Sequence, residues 1–467
     1  WPHLRLLARE TEIAGKLLVP RLAVYPKYVH DLREWVDPAL HVSVQNRVDA
    51  SGLPRTDDWC PGANMTPPRT PEVTDSGTLL HFLGSEMFRK IETAGRGERL
   101  GEGDVTRLFE ARGAEFRMVC AAADELRIAS KGDAVTYIRN CNINYTNICA
   151  YKCQFCAFSK GKAHADLRGK AYNLSLTDIQ EKSREAWQRG AIEVCLQGGI
   201  HPAYTGQTYL DICRAIKSAL PDMHIHAFSP LEIWQGASTL GLSLPEYLAE
   251  LKAAGLGSVP GTAAEILVAE VREVLCPDKV TVKQWSDVMR AVHGVGLKST
   301  ATIMFGHIEQ PAHWARHLLL IRDLQAETGG FTEFVPLPFV HMESPLYRRG
   351  RARRGPTFRE AVLMHAVARL TLHTQIDNIQ TSWVKMGRDG VRATLRAGAN
   401  DLGGTLMYES ISRAAGAAHG QEMTPEDMDA LITVGGRVRG QRNTLYCTGS
   451  RREEAMVELT RYHAALR

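Results

Sequence analysis

The chain has 467 residues, so one large domain with appendages, or two domains, is the expectation. Its 44% hydrophobic and 23% charged residues exclude a largely disordered or collagen-like chain. The 56 Lys and Arg against 52 Asp and Glu leave a net charge of +4, too mild to indicate a nucleic-acid partner. No apolar run approaches the about 18 residues of a membrane span, and the start at Trp1 has no signal-peptide layout. The chain reads as a segment of something longer.

In chain order, residues 1–75 hold short helical pieces and a Pro/Asp/Thr-rich run, Asp49 to Ser76, that reads as linker. Residues 76–130 read as a helical lead-in, with Leu108, Phe109, Phe116, Val119, Cys120, Ala123 and Leu126 at helical spacing. From 131 to 423 short apolar strands alternate with amphipathic helices. The strands are expected at 135–138, 192–196, 223–228, 256–259, 297–305, 331–335, 376–380 and 398–402. Several of the helices between them are stopped by Gly255, Gly294 and Gly329. Eight such steps over roughly 290 residues fit a (β/α)8 barrel, with an open doubly wound sheet as the alternative. Residues 424–467 read as a C-terminal helical extension.

A β/α barrel carries its functional residues at the C-terminal ends of its strands. The unusual residues of this chain cluster there. They include Cys149 to Cys156, Gln197-Gly198-Gly199, His226 with Ser229 and Glu232, and Pro260 to Glu265. The series continues with Gly306 to Glu309, Pro336 to His341, Gln380 to Trp383 and Asn400-Asp401. Pro336 and Pro338 are expected to shape a loop. The Arg-rich run Arg348 to Arg354 reads as a solvated loop, with a docking patch for an acidic electron donor as the sharper reading. Tyr145 and Thr146 stand between packing and substrate contact.

Seven of the ten cysteines are scattered and read as small buried hydrophobes, too sparse for a disulfide scaffold; a reducing, cytoplasmic setting fits them. The other three form Cys149-Ala-Tyr-Lys-Cys153-Gln-Phe155-Cys156. Thiolates this close converge on a soft metal centre. Zinc needs a fourth ligand, for which only Cys141 and His164 lie near. An electron-transfer ferredoxin needs a fourth cysteine per cluster. Three thiolates on a four-iron cluster leave one iron open, the mark of a reactive centre.

This C-x3-C-x-aromatic-C loop after the first strand resembles the radical S-adenosylmethionine superfamily. The resemblance implies a radical-SAM-type barrel, a 4Fe-4S cluster on Cys149, Cys153 and Cys156, and S-adenosylmethionine on the open iron. It also implies cosubstrate contacts from Phe155, from the glycine motif Gln197, Gly198 and Gly199, from Ser229 and Glu232, and from the strand-five motif Thr302, Gly306 and Glu309. Longer strings look like the tyrosine-dependent half of deazaflavin (FO) synthase. These are Asn142 to Asn147, Ile225 to Glu232, Val259 to Glu265, Phe334 to Phe339, Gln380 to Trp383 and Gly398 to Gly404. The first 60 or so residues, with Ala23 to Val29 and Trp35, look like the tail of the partner half.

That likeness implies cleavage of L-tyrosine between Cα and Cβ by a deoxyadenosyl radical. The hydroxybenzyl fragment then passes to 5-amino-6-(D-ribitylamino)uracil. It further implies a missing partner radical module and a reducing electron donor. His226, Glu265 and Asn400 are the candidate catalytic residues, because a uracil and a polyol need buried donors and acceptors at strand ends. An aminofutalosine synthase-like enzyme and a non-catalytic iron–sulfur protein are the competing readings.

Overall fold

The computed structural model describes residues 25–68, 84–159 and 170–446. Strand one is a single bent segment, split into β1 (Ala134–Ile138) and β2 (Asn140–Asn144). It is followed by β3 (Glu193–Gln197), β4 (His224–Ala227), β5 (Ser258–Val259), β6 (Lys298–Phe305), β7 (Phe331–Pro338) and β8 (Asp401–Gly404). β2 through β7 form one all-parallel sheet in sequence order. Ile379 and Gln380 bridge β7 to β8, and β8 pairs with β1 through Thr136↔Asp401 and Ile138↔Gly404. Because β1 runs directly into β2, this pairing closes an eight-stranded barrel. The expected seventh strand, 376–380, is reduced to those two bridges.

Pro336 and Pro338 lie inside β7 rather than in a loop. The Phe334 N–H points to Asn378 O, so by strand alternation the nitrogens of 336 and 338 face that same side. The ladder there ends at Gln380, so a missing N–H costs nothing.

Helices wrap the barrel and start on reciprocal caps. Ser175 opens Leu176–Gln188, Thr281 opens Val282–Gly294, and Thr357 opens Phe358–Thr371. The lead-in helices Glu102–Phe109 and Gly113–Lys131 close one flank, where Phe109 meets Trp314 edge-on at 5.1 Å.

Both ends of the described chain differ from the expected texture. Asp49 and the residues following it do not form a linker. The Asp49 carboxylate accepts from Arg112 and Arg359, Ala50 N–H donates to Glu360 at 2.6 Å, and Trp59 stacks edge-on to Phe358 at 5.2 Å. Polar composition hid this packing because its contacts are ion pairs, a hydrogen bond and one ring contact with residues from 63 to 310 positions away rather than a periodic apolar face. Residues 69–76 of that run lie outside the described residues.

The extension beyond 423 holds the helix Pro425–Val434 and adds a strand, β9 (Val438–Gln441), parallel to β1. The chain then enters the barrel base. Arg442 donates to Asp401 at 2.9 Å and to Glu333 at 3.3 Å, Thr444 donates to Glu193, and the Tyr446 hydroxyl donates to Glu333 at 2.6 Å. Among the described residues no helix is long and apolar enough to cross a membrane.

Candidate active site

The cysteine loop follows β2 and is pinned from two sides. Ala150 N–H donates to Ile200 O at 2.8 Å, joining it to the loop after β3. Gln154 N–H donates to Leu275 O at 2.8 Å, and Lys152 N–H to Asp278 at 2.9 Å. All three cysteines are unbridged and line one cavity of about 300 Å³, together with Phe155 and the Gln197-Gly198-Gly199 turn. Backbone N–H groups already point at two of the sulfurs, Ile200 at Cys149 (3.3 Å) and Ser159 at Cys156 (3.4 Å).

The glycine pair is needed sterically. A Cβ on Gly198 would stand 2.4 Å from the Tyr145 ring, and one on Gly199 2.3 Å from Ile148 O and 2.9 Å from Cys149 Cβ. These positions let two backbone segments meet beside the cluster loop.

The donor set fits a cluster held by three thiolates. No three His, Cys, Asp or Glu side chains among the described residues converge on a single metal ion, and Cys141 packs in the outer core behind β2. His164, the other zinc partner considered, lies outside the described residues, as does Cys447. Burial raises the Cys153 and Cys156 thiols, and iron bound there would favour their thiolate form instead.

Glu232 has a defined task. Its carboxylate accepts from the Tyr145 hydroxyl, from Gly198 N–H at 3.3 Å and from Ser229 N–H at 2.6 Å. It thereby ties the glycine turn after β3 to the helix that follows β4. Ser229 caps that helix, and both side chains also line the cavity. Tyr145 is fully buried and belongs to packing, and Thr146 hydrogen-bonds to Tyr172 O.

The strand-five motif divides. Thr302 lines the cavity and donates to Gly261 O at 2.6 Å. Gly306 and Glu309 lie outside its lining. Glu309 instead collects N–H groups from Gly306, His307 (3.0 Å), Ile308 (2.9 Å) and the Trp314 indole (2.9 Å). A carboxylate with every lone pair occupied by its own turn organises that turn.

Glu265 does reach the cavity, on a loop where Ala263 and Glu265 hold left-handed φ values of 60° and 41°. Such backbone costs on the order of 1–3 kcal/mol per residue. Arg272 holds it by donating to Ala264 O at 2.6 Å and Ala263 O at 3.2 Å. One Glu265 oxygen accepts from Lys279 at 2.6 Å, and the other is buried without a protein partner. Lys279 also lies 5.7 Å from the Phe155 ring centroid.

A second cavity of about 230 Å³ occupies the barrel lumen and adjoins the first through shared walls at Gln197, Thr262, Thr302 and Lys385. Its lining mixes apolar side chains with polar ones, Asn142, Asn144, Thr300 and Gln380 among them. His226 faces it from within β4 rather than from beyond the strand, its Nδ1 2.7 Å from the Ser258 hydroxyl. Burial holds this imidazole down at about 4, so it is neutral at physiological pH.

Asn400 is a correction. It precedes β8 instead of following it, and it lines neither cavity. Its amide is spent on the barrel wall, accepting from Arg369 (2.7 Å) and Ile379 N–H (2.9 Å) and donating to Asn378 (3.2 Å). Sequence reading also passed over Lys279, Lys385 and Arg442. Only Lys385 carried a signal, two residues beyond the Gln380 to Trp383 string.

A closed β/α barrel with a three-cysteine loop beyond strand one and a glycine turn beyond the next strand defines a radical S-adenosylmethionine protein. Residues 143–321 match the Radical SAM superfamily, and residues 328–452 match the CofH/MqnC C-terminal region. The chain is 44% identical over 358 residues to the 5-amino-6-(D-ribitylamino)uracil–L-tyrosine 4-hydroxyphenyl transferase of Methanothermobacter thermautotrophicus, covering 77% of this chain and 96% of that one. It is 41% identical over 485 residues to the FO synthase of Streptomyces avermitilis, covering 96% of this chain and 56% of that one. The chain thus spans about half the length of the FO synthases it matches. Its fold is similar to the crystal structure of methylornithine synthase (PylB), with a TM-score of 0.59 at 16% identity over 75% of this chain and 97% of that one. The chain belongs to the radical S-adenosylmethionine superfamily, carries a CofH/MqnC C-terminal region, and falls in one family with that 4-hydroxyphenyl transferase.

Proposed function

We propose that this chain cleaves L-tyrosine between Cα and Cβ and transfers the 4-hydroxybenzyl group to 5-amino-6-(D-ribitylamino)uracil. This is the tyrosine-dependent step in making the deazaflavin FO chromophore. The observation that carries the reading is the pair of adjoining cavities: one holds the three cysteines and the glycine turn, the other is a lumen with polar side chains on its wall that shares a side with it. The match along nearly the whole length of a relative bearing that name supports it.

Cys149, Cys153 and Cys156 would hold the 4Fe-4S cluster, and the Gly198-Gly199 turn and Phe155 would border S-adenosylmethionine. When bound, the pair supplies the hydrogen-abstraction chemistry that opens the tyrosine. The protein's part is placement. The Glu232 network fixes the glycine turn against the cysteine loop, and Glu265 offers one open carboxylate oxygen to a bound hydroxyl or amine. Neutral His226, with Gln197, Gln380 and Thr300, offers the lumen both donors and acceptors, which a uracil and a ribityl chain require. Small misplacements of a reacting fragment cost orders of magnitude, so this wall matters to rate as well as affinity.

The test uses anaerobically reconstituted protein with S-adenosylmethionine, L-tyrosine and the ribitylaminouracil. A tyrosine-derived adduct of the uracil should appear by mass spectrometry, without deazaflavin fluorescence. Adding a separately produced partner module should give the chromophore. Deoxyadenosine formation with no adduct would overturn the proposal.

A further inference from the structure

The cations that reach the two cavities differ in how their charge is met. Lys279 is neutralised by Glu265 at 2.6 Å, and Arg442 by Asp401 and Glu333. Lys385 is the exception. It lines both cavities, yet it forms no ion pair with a carboxylate among the described residues. Its one side-chain hydrogen bond there goes to the Ser412 hydroxyl at 2.7 Å, which leaves two of its three donors for the cavity. The acid whose charge acts on it, Glu409, accepts from the N–H groups of Ser412 (2.7 Å) and Arg413 (3.3 Å). Gly62 N–H donates to Lys385 O at 2.7 Å, so the backbone at this position is fixed from the N-terminal segment.

A half-buried ammonium with no carboxylate paired directly to it gains from a ligand that brings one. We infer that Lys385 anchors the α-carboxylate of the amino-acid substrate at the junction of the two cavities. This rests on the proposed tyrosine reaction and names the group that orients its substrate. A carboxylate held there places Cα beside the cluster cavity and leaves the lumen open for the acceptor. Burial holds the Lys385 ammonium below the usual lysine range, and Glu409 pulls the other way. The charge-assisted contact would be specific for a free carboxylate.

The experiment measures binding of L-tyrosine and of tyramine, which lacks the carboxylate, to the reconstituted protein with S-adenosylmethionine. The wild-type protein should prefer tyrosine. Lys385→Met should lose tyrosine affinity by about thirtyfold or more while binding tyramine as before, so that the preference vanishes. Lys385→Arg should retain the preference, and iron content and S-adenosylmethionine binding should match wild type in both variants. A structural role for Lys385 would weaken both ligands equally. Equal wild-type affinity for tyrosine and tyramine overturns the anchor without recourse to any variant. Unchanged tyrosine affinity in Lys385→Met, alongside normal adduct formation by the wild-type protein, overturns the anchor alone. Wild-type protein that neither binds tyrosine nor forms adduct overturns the functional reading as well.

Discussion

Lys279 donates to Glu265 across 2.6 Å at the wall of the cluster cavity, with both side chains less than a tenth exposed. The pair joins the loop after β5 to the loop that also accepts the backbone of Lys152 and Gln154, so it braces the cysteine loop from behind. Breaking a buried pair leaves a lone charge, which costs about 3–5 kcal/mol, whereas removing both partners costs far less. Lys279→Met and Glu265→Gln should each lower the urea midpoint strongly, and the double variant should recover most of the loss. Additive losses in the double variant would show that the two residues act independently.

The cysteine loop makes a selective prediction. Replacing Cys149, Cys153 or Cys156 singly by Ala should abolish both iron loading and deoxyadenosine formation. The same change at Cys60 or Cys213, buried away from the cavity, should leave iron content near wild type. Iron analysis beside chromatography of deoxyadenosine checks both halves. Full cleavage in Cys153→Ala would remove the assignment.

At Gly199 a methyl group would collide with Ile148 O and Cys149 Cβ. Gly199→Ala should therefore destabilise by about 1–3 kcal/mol and weaken S-adenosylmethionine binding, while Gly132→Ala, in open space, should leave that binding alone. Calorimetric titration of the cosubstrate distinguishes the two. Normal binding in Gly199→Ala would mean the turn can move without cost.

Acid should destabilise the fold through its buried histidines. His226 and His317 are held at about 4 and about 3 by burial, below the unfolded value of about 6.5. The His317 Nδ1 accepts from Leu267 N–H at 3.0 Å, a role open only to the neutral ring. A lowered folded value means the unfolded chain takes the proton first, so stability is full above about 6.5 and falls as pH drops toward 4. Each such group contributes about 1.4 kcal/mol per pH unit within that window. Thermal midpoints measured between pH 7.5 and 5 should decline, and His317→Asn should flatten the slope by about 1–2 kcal/mol over that range. An unchanged slope would place the acid sensitivity elsewhere.

Much of this molecule was legible locally. Seven of the eight expected strands showed in short apolar runs, and the cluster ligands showed in a spacing confined to eight residues. The lumen was not legible. Lys385 matters because Ser412 and two cavities lie around it, and Arg442 matters because the chain re-enters the barrel beside Glu333 and Asp401. Nothing in the neighbouring sequence of either residue records those partners.

Strand-end position also proved a weak guide to what a polar side chain is free to do. Asn400 and Glu309 have the residue types and approximate positions of site residues, yet their hydrogen-bonding capacity is taken up by their own walls and turns. Glu265 keeps one oxygen unpaired. The sequence alone determined the alternation of strands and helices, the cysteine loop and the glycine turn, because periodicity, metal-ligand spacing and backbone freedom are properties of neighbouring residues, whereas barrel closure came from the β1–β8 pairing. Only the tertiary structure decided which polar groups remain available to a substrate, because a side chain is free or committed according to what the fold brings within about 3 Å of it.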